Sequence, residues 1–132
     1  MKRCLIIAVA VASVLSLAGG NGTSGAAISS PLIGSAVTAI SVGSETVCAL
    51  RSDGRVICWG SNQYGLATPP ADLQGVTAIS VSWPISCALK GDGTVVCWGG
   101  SGFDRPATPP ADLQGVTAIS AGWSDPCALK GD

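Results

Sequence analysis

The segment CALRSDGRVICWG, residues 48–60, returns as CALKGDGTVVCWG at 87–99 and starts a third time as CALKGD at 127–132. Each full copy sets Asp-Gly between two cysteines that stand ten residues apart, Cys48 with Cys58 and Cys87 with Cys97. Asp-Gly flanked by apolar and β-branched residues signals a β-hairpin, because glycine takes the positive φ that such turns need at no steric cost. The cysteines then select the loop length. With Ser52-Asp53-Gly54 as a three-residue loop, a type I turn closed by a left-handed glycine, Arg51 faces Arg55, Leu50 faces Val56, Ala49 faces Ile57 and Cys48 faces Cys58. The second copy gives Lys90/Thr94, Leu89/Val95, Ala88/Val96 and Cys87/Cys97. A two-residue Asp-Gly turn would set Cys58 against Ala49 instead.

Directly opposed cysteines at a non-hydrogen-bonded pair are close enough for a disulfide. Closing so short a loop stabilises the folded chain by ~2–3 kcal/mol in the chain-entropy treatment. Zinc sites favour close C-x2-C pairs, and redox motifs are C-x-x-C. Here the spacing is C-x9-C, so structural disulfides Cys48–Cys58 and Cys87–Cys97 are expected. The position ten residues after Cys127 lies past Asp132, so the pattern offers Cys127 no mate and it is expected to stay outside these staples.

Outward from the hairpins, ATPPADLQGVTAIS occurs at 67–80 and again, letter for letter, at 107–120, and VTAIS stands at 37–41. Val37, Val76 and Val116 step by 39 and then 40 residues, as do Cys48, Cys87 and Cys127. The extra residue falls in the loop, where WGGSGFDRPA (98–107) is longer than WGSNQYGLA (59–67). Val76 to Val81, Ser86 to Leu89 and Thr94 to Trp98 read as short strands, and Pro69-Pro70 and Pro109-Pro110 punctuate the return connections. Nothing from residue 36 onward sustains the 3.6-residue apolar period of a helix. Several short strands in each repeat of about forty residues point to a propeller blade. The expected fold is all-β: a partial β-propeller of about two and a half blades of short antiparallel strands, at 36–75, 76–115 and a truncated 116–132. Propellers remove strand edges by closing the ring, so this stretch is expected to be a fragment of a longer product; the alternatives are that it self-associates through open propeller edges or is poorly stable.

Residues 1–18 read as a helical secretory signal peptide. Lys2 and Arg3 form the positive region, Cys4 to Leu17 is apolar except for Ser13 and Ser16, and Ser16-Leu17-Ala18 offers small residues for cleavage. The apolar run falls short of the ~20 residues of a membrane span, so none is expected after cleavage. Residues 19–35, rich in Gly, Ser and Ala, read as a flexible linker. Without the leader the chain keeps 5 basic residues, 8 acidic residues and five cysteines. Secretion to an extracellular, periplasmic or cell-surface location follows, and oxidised cysteines fit it.

Composition removes much of chemistry. With no histidine among 132 residues, Ser/His/Asp or Cys/His catalysis and His-ligated zinc are excluded. A net charge of −1 gives no footprint for nucleic acid. Asp53, Asp92 and Asp132 recur at the hairpin tips, and aspartate before glycine, as at Asp53 and Asp92, is turn chemistry; calcium loops need several alternating carboxylates. No phosphate loop, carboxylate dyad or nucleophile elbow is present. No catalytic residue, metal or cofactor is therefore expected, and an enzyme is not expected.

The pattern C-A-L-x-x-D-G-x-V-x-C-W-G, followed by a proline-containing return and V-x-A-I, resembles the regulator of chromosome condensation family over residues 36–132. It is most similar to a secreted bacterial branch with cysteines around the Asp-Gly hairpin. The resemblance implies a β-propeller, commonly of seven blades, that acts as a binding scaffold or as a nucleotide exchange factor for a nuclear GTPase. The same superfamily holds a secreted β-lactamase-inhibiting propeller, so a hydrolase-inhibitor scaffold is a further implied role. Two features depart from the family. Its histidine before Cys-Ala-Leu is replaced by Thr46, Ile85 and Asp125, and its N-x-x-G-Q loop survives only as Asn62-Gln63-Tyr64-Gly65-Leu66. A leader argues against the intracellular exchange role.

Trp59 and Trp98 follow hairpin cysteines inside strands and are expected to pack between blades. Trp83 and Trp123 fall in the first inter-strand turn of successive repeats, and Tyr64, Phe103 and Arg105 lie in the longer loops. Large aromatic side chains dominate interface energetics, and recognition residues sit on loops. These five are the candidate binding face for a protein partner whose identity the sequence does not give; the competing expectation is that the tryptophans cap blade edges.

Overall fold

A computed structural model describes residues 35–100, 108–123 and 125–131. The expected leader, all of the linker but Ser35, and the candidates Phe103 and Arg105 lie outside the described residues. The described chain holds eight strands: β1 (Val37–Val42), β2 (Thr46–Arg51), β3 (Val56–Gly60), β4 (Val76–Val81), β5 (Ile85–Lys90), β6 (Val95–Gly99), β7 (Val116–Ala121) and β8 (Pro126–Lys130). They form three antiparallel sheets, β1-β2-β3, β4-β5-β6 and β7-β8, which are two three-stranded blades and part of a third. One 3-10 turn, Gln63–Gly65, lies in the connection out of the first blade. No helix among the described residues is long and apolar enough to cross a membrane.

The β2–β3 and β5–β6 hairpins have the register that three-residue loops dictate. Cys48 faces Cys58 and Leu50 faces Val56; Cys87 faces Cys97 and Leu89 faces Val95. Arg51 N–H donates to the Arg55 carbonyl at 2.9 Å, as Lys90 N–H does to that of Thr94. Both cysteine pairs are disulfide-bonded, each with Cα atoms 4.1 Å apart. At the tips the aspartates act on their own turns: Asp53 Oδ1 accepts from Arg55 N–H at 3.1 Å and Asp92 Oδ1 from Thr94 N–H at 3.0 Å. A hydrogen bond from the Ser35 hydroxyl holds the Asp53 carboxyl below the ordinary aspartate range, and one from the Thr94 hydroxyl does the same for Asp92. The sign follows by linkage: with folded pKa values depressed, this support is present at neutral pH and is lost as pH falls through them.

The first hairpin of each blade carries a feature that spacing did not announce. Pairing slips by one residue between Val37 and Ala39, between Val76 and Ala78, and between Val116 and Ala118, so Thr38, Thr77 and Thr117 form β-bulges. Each threonine hydroxyl donates to a leucine carbonyl on the paired strand, that of Leu50, Leu89 or Leu129, at 3.3 Å. Two residues before Cys48, buried Thr46 donates its hydroxyl to the Ser61 carbonyl at 2.7 Å. Ile85 fills the equivalent place with buried apolar bulk.

Blades stack through faces. β4 packs on β1 and β2, and β7 on β4 and β5. Since β2 and β5 are central strands with both edges paired, those contacts go through the sheet face. Two bonds recur at each junction. Val76 N–H donates to the Gly54 carbonyl and Val116 N–H to the Gly93 carbonyl, both at 3.1 Å. Val81 N–H donates to Ser41 Oγ at 2.9 Å, and Ala121 N–H to Ser80 Oγ at 2.8 Å. The buried cluster Cys48, Leu50, Leu73, Val76, Val81, Ala88 and Trp98 spans the first two blades.

Gly93 combines two demands. Its φ is +80°, and a Cβ there would lie 3.2 Å from Gly115 Cα in the next blade. Gly93→Ala therefore meets both a left-handed backbone and a close backbone neighbour, and should lower unfolding free energy by about 2 kcal/mol in denaturant titration. The opposite outcome is expected at Ser86, fully buried with no hydrogen-bond partner for its hydroxyl. Ser86→Ala removes an unsatisfied polar group, so the melting temperature should hold or rise despite complete burial.

Candidate functional site

The chemistry-bearing residues of this chain are its aromatics, and the folded repeats gather three of them. In blade one the β1–β2 turn carries Ser44, whereas Trp83 and Trp123 occupy the equivalent turn position in the next two blades. Successive blades present this turn on the same rim. Trp83 and Trp123 consequently stack, with ring centroids 6.1 Å apart and planes inclined by 30°. Tyr64, from the connection out of the first blade, joins them: its ring meets Trp83 edge-on, at 6.1 Å and 67°. The row Tyr64–Trp83–Trp123 thus crosses all three blades.

Exposure along the row is graded. Trp83 is half-buried, Tyr64 is exposed and Trp123 is 73% exposed. Beside Trp83 lies a shallow notch lined by Glu45, Thr46, Ser61, Gln63 and Leu66. Tyr64 is held by backbone as well as by packing. It has φ +65°, the only positive φ of a non-glycine residue among the described residues, which is uncommon for a bulky side chain. Asn62 fixes the loop around it. Its Oδ1 accepts from Ala67 N–H at 2.9 Å, and its Nδ2 donates to Thr68 Oγ1 at 3.0 Å.

Trp59 and Trp98, equivalent in sequence, have different surroundings. Trp98 is buried, and its Nε1 donates to the Leu66 carbonyl in the connection leaving the preceding blade, at 2.9 Å. Trp59 sits in the first described blade and is about half exposed. No group of three or more metal-ligating side chains gathers among the described residues. What this surface offers chemically is apolar, polarisable area with few charges, suited to contact with another molecule's side chains.

Sequence spacing placed Trp83 and Trp123 on successive turns but could not bring Tyr64 to them. That contact depends on the path of the 61–68 loop, for which Asn62 was the available sign. Asn62→Ala should free the loop, raising the mobility of Tyr64 and weakening its edge contact with Trp83. Near-ultraviolet circular dichroism should lose aromatic signal while the far-ultraviolet spectrum stays unchanged.

The comparisons fit this architecture. Residues 37–66 match the regulator of chromosome condensation (RCC1) repeat. Among solved structures, the ectodomain of the receptor kinase CR4 from Physcomitrella patens is 29% identical with a TM-score of 0.59, over 76% of this chain and 28% of that one. The ectodomain of the Arabidopsis thaliana receptor kinase ACR4 is 25% identical with a TM-score of 0.54, over 74% of this chain and 33% of that one. Prp20p from Saccharomyces cerevisiae, at 18% identity and a TM-score of 0.55, shares the fold over 71% of this chain and 31% of its own. This chain therefore spans about a third or less of the length of the structures it matches. A sequence search of curated proteins gives no match.

Proposed function

We propose that this chain, a protein of regulator of chromosome condensation repeats, is an exported protein-binding module whose contact surface is the row Tyr64–Trp83–Trp123. The observation that carries the reading is Trp123, 73% exposed and stacked on Trp83 at the rim of the blades. An indole left in water yet held in place by its neighbour gives up apolar area on contact at little ordering cost. Covering it is worth on the order of 4 kcal/mol before the costs of association. Large, rigid aromatics of this kind are what interface hot spots are made from.

Export is supported by three features. The leader-like residues 1–18 precede the repeats, two disulfides staple the hairpins, and two similar structures are receptor ectodomains. Structural disulfides persist in oxidising compartments and are rare in the cytosol or nucleus, which favours this reading over nucleotide exchange on an intracellular GTPase.

Expression of the full chain with its leader tests both halves. The exported product should have the mass expected for cleavage after Ala18, with four cysteines oxidised as two intramolecular pairs. Cross-linked on the surface of its own cells, it should capture a partner that the Trp83→Ala/Trp123→Ala double variant does not. Retention inside the cell with reduced cysteines would overturn the export reading. Capture of the same partner by the double variant would overturn the aromatic surface.

A further inference from the structure

The β1–β2 turn carries a carboxylate at a position where its counterparts have none. Glu45, the only glutamate in the chain, stands where the next two repeats have Pro84 and Ser124. Its side chain is exposed, and backbone bonds hold the turn: Gly43 N–H donates to the Thr46 carbonyl and Ser61 N–H to the Glu45 carbonyl, both at 2.8 Å. A Cβ on Gly60 would collide with that same Glu45 carbonyl, so the approach of the two strands here needs the glycine. Residues common to every repeat build the blade. Glu45 departs from the repeat and leaves the bonds of its own turn untouched.

Glu45 and the Trp83 indole line one shallow notch, together with buried Leu66. Ser61 and Gln63 add a hydroxyl and an amide oxygen as further acceptors, and the Gln63 amide nitrogen donates to Tyr64 Oη at 3.3 Å. Among the described residues no basic side chain lines the notch. The four described cations, Arg51, Arg55, Lys90 and Lys130, stand at the hairpin-tip ends of the strands, where Arg51 pairs with Asp53 and Lys90 with Asp92. From Glu45 to Arg51 the chain covers about 20 Å at ~3.4 Å per residue, more than twice the ~8 Å screening length at physiological ionic strength. The notch is thus an aromatic wall beside a carboxylate, with the chain's described positive charge held at the far end of the blade.

Resting on the reading of the aromatic row as a contact surface, we infer that this notch receives an arginine side chain of the partner protein. The guanidinium lies along the Trp83 indole and donates to the Glu45 carboxylate and the Gln63 amide oxygen. An indole attracts a cation placed over its face, and the attraction grows as water is excluded. Arginine suits a shallow site better than lysine does, because its guanidinium is planar, more weakly hydrated and presents its N–H groups in a fork that matches a carboxylate. An acidic segment in the same place would meet Glu45 with like charge, so the notch selects as well as binds. Every residue lining it lies in the turn of blade one, its outgoing connection or the turn of blade two.

Titration of the exported chain with the capped peptide acetyl-Gly-Gly-Arg-Gly-Gly-amide, followed at the indole N–H resonance of Trp83, tests the notch itself. That resonance should shift and saturate. The citrulline peptide, of nearly the same shape but uncharged, should bind at least ~10-fold more weakly, as should the arginine peptide to Glu45→Gln. Glu45→Lys should reject the arginine peptide and bind acetyl-Gly-Gly-Glu-Gly-Gly-amide instead. Because Glu45 is exposed, both variants should keep the wild-type circular dichroism spectrum and both disulfides. An arginine peptide that leaves Trp83 unmoved, or arginine and citrulline peptides bound equally, would overturn the inference. In the cell-surface capture, Glu45→Gln should lose most of the partner. Capture by Glu45→Gln at the wild-type level, with the Trp83→Ala/Trp123→Ala variant still unable to capture, would overturn the arginine site and leave the aromatic surface standing. Capture by the double variant would instead overturn the surface on which the inference rests.

Discussion

The junction between blades is the contact on which the rest of this structure depends. Neither three-stranded sheet carries a sealed core of its own, and Val76, Val81 and Trp98 are buried together with residues of the blade before them. The hairpin tip reaches the first strand of the next blade, where the Gly54 or Gly93 carbonyl takes the valine N–H. A Cβ on the tip glycine would come within 3.1 or 3.2 Å of the Gly75 or Gly115 Cα, so the approach is tight. The disulfide one turn back fixes the hairpin that presents that tip. In repeat architectures stability is a sum of weak units and neighbour interfaces, and here the interface term is where most apolar burial occurs.

The same dependence explains what lies at the rim. Because blades meet at a repeated register, the turn after the first strand returns to the same side in each. Two tryptophans forty residues apart in sequence thereby come within stacking distance. The scaffold does the positioning and the turn residues supply the chemistry, a division common to folds that carry binding sites on loops. A strained residue in that setting is informative: Tyr64 holds a left-handed backbone only because the Asn62 bonds and the Trp83 contact over-determine it.

Hairpin geometry was legible because two independent constraints converge on it. Asp-Gly demands a tight turn, and only one loop length opposes both cysteine pairs, so strand pairing from Leu50/Val56 to Cys48/Cys58 could be written from spacing alone. The bulges at Thr38, Thr77 and Thr117 could not. A one-residue slip leaves no mark on an apolar alternation, and threonine suits a regular strand as well as a bulged one. Ser41 and Ser80 were equally silent, since a serine that accepts an N–H from forty residues away reads locally as a small polar strand residue. Trp59 and Trp98 mark a different limit: their local sequences are nearly the same, yet Trp98 is buried and bonded to the Leu66 carbonyl while Trp59 is half exposed. Repeats make the unit readable and leave its place in the stack to be seen in three dimensions.

Native-state hydrogen exchange at the junction amides tests the dependence on neighbours most directly. If the blades are held as one unit through their interfaces, the amides of Val76, Val81, Val116 and Ala121 should be protected and should open together with the ladder amides of β2 and β5, with a common free energy. Junction amides that exchange like those of the exposed loops, while each disulfide-bonded hairpin keeps its own protection, would show blades that fold as independent beads and would contradict this view.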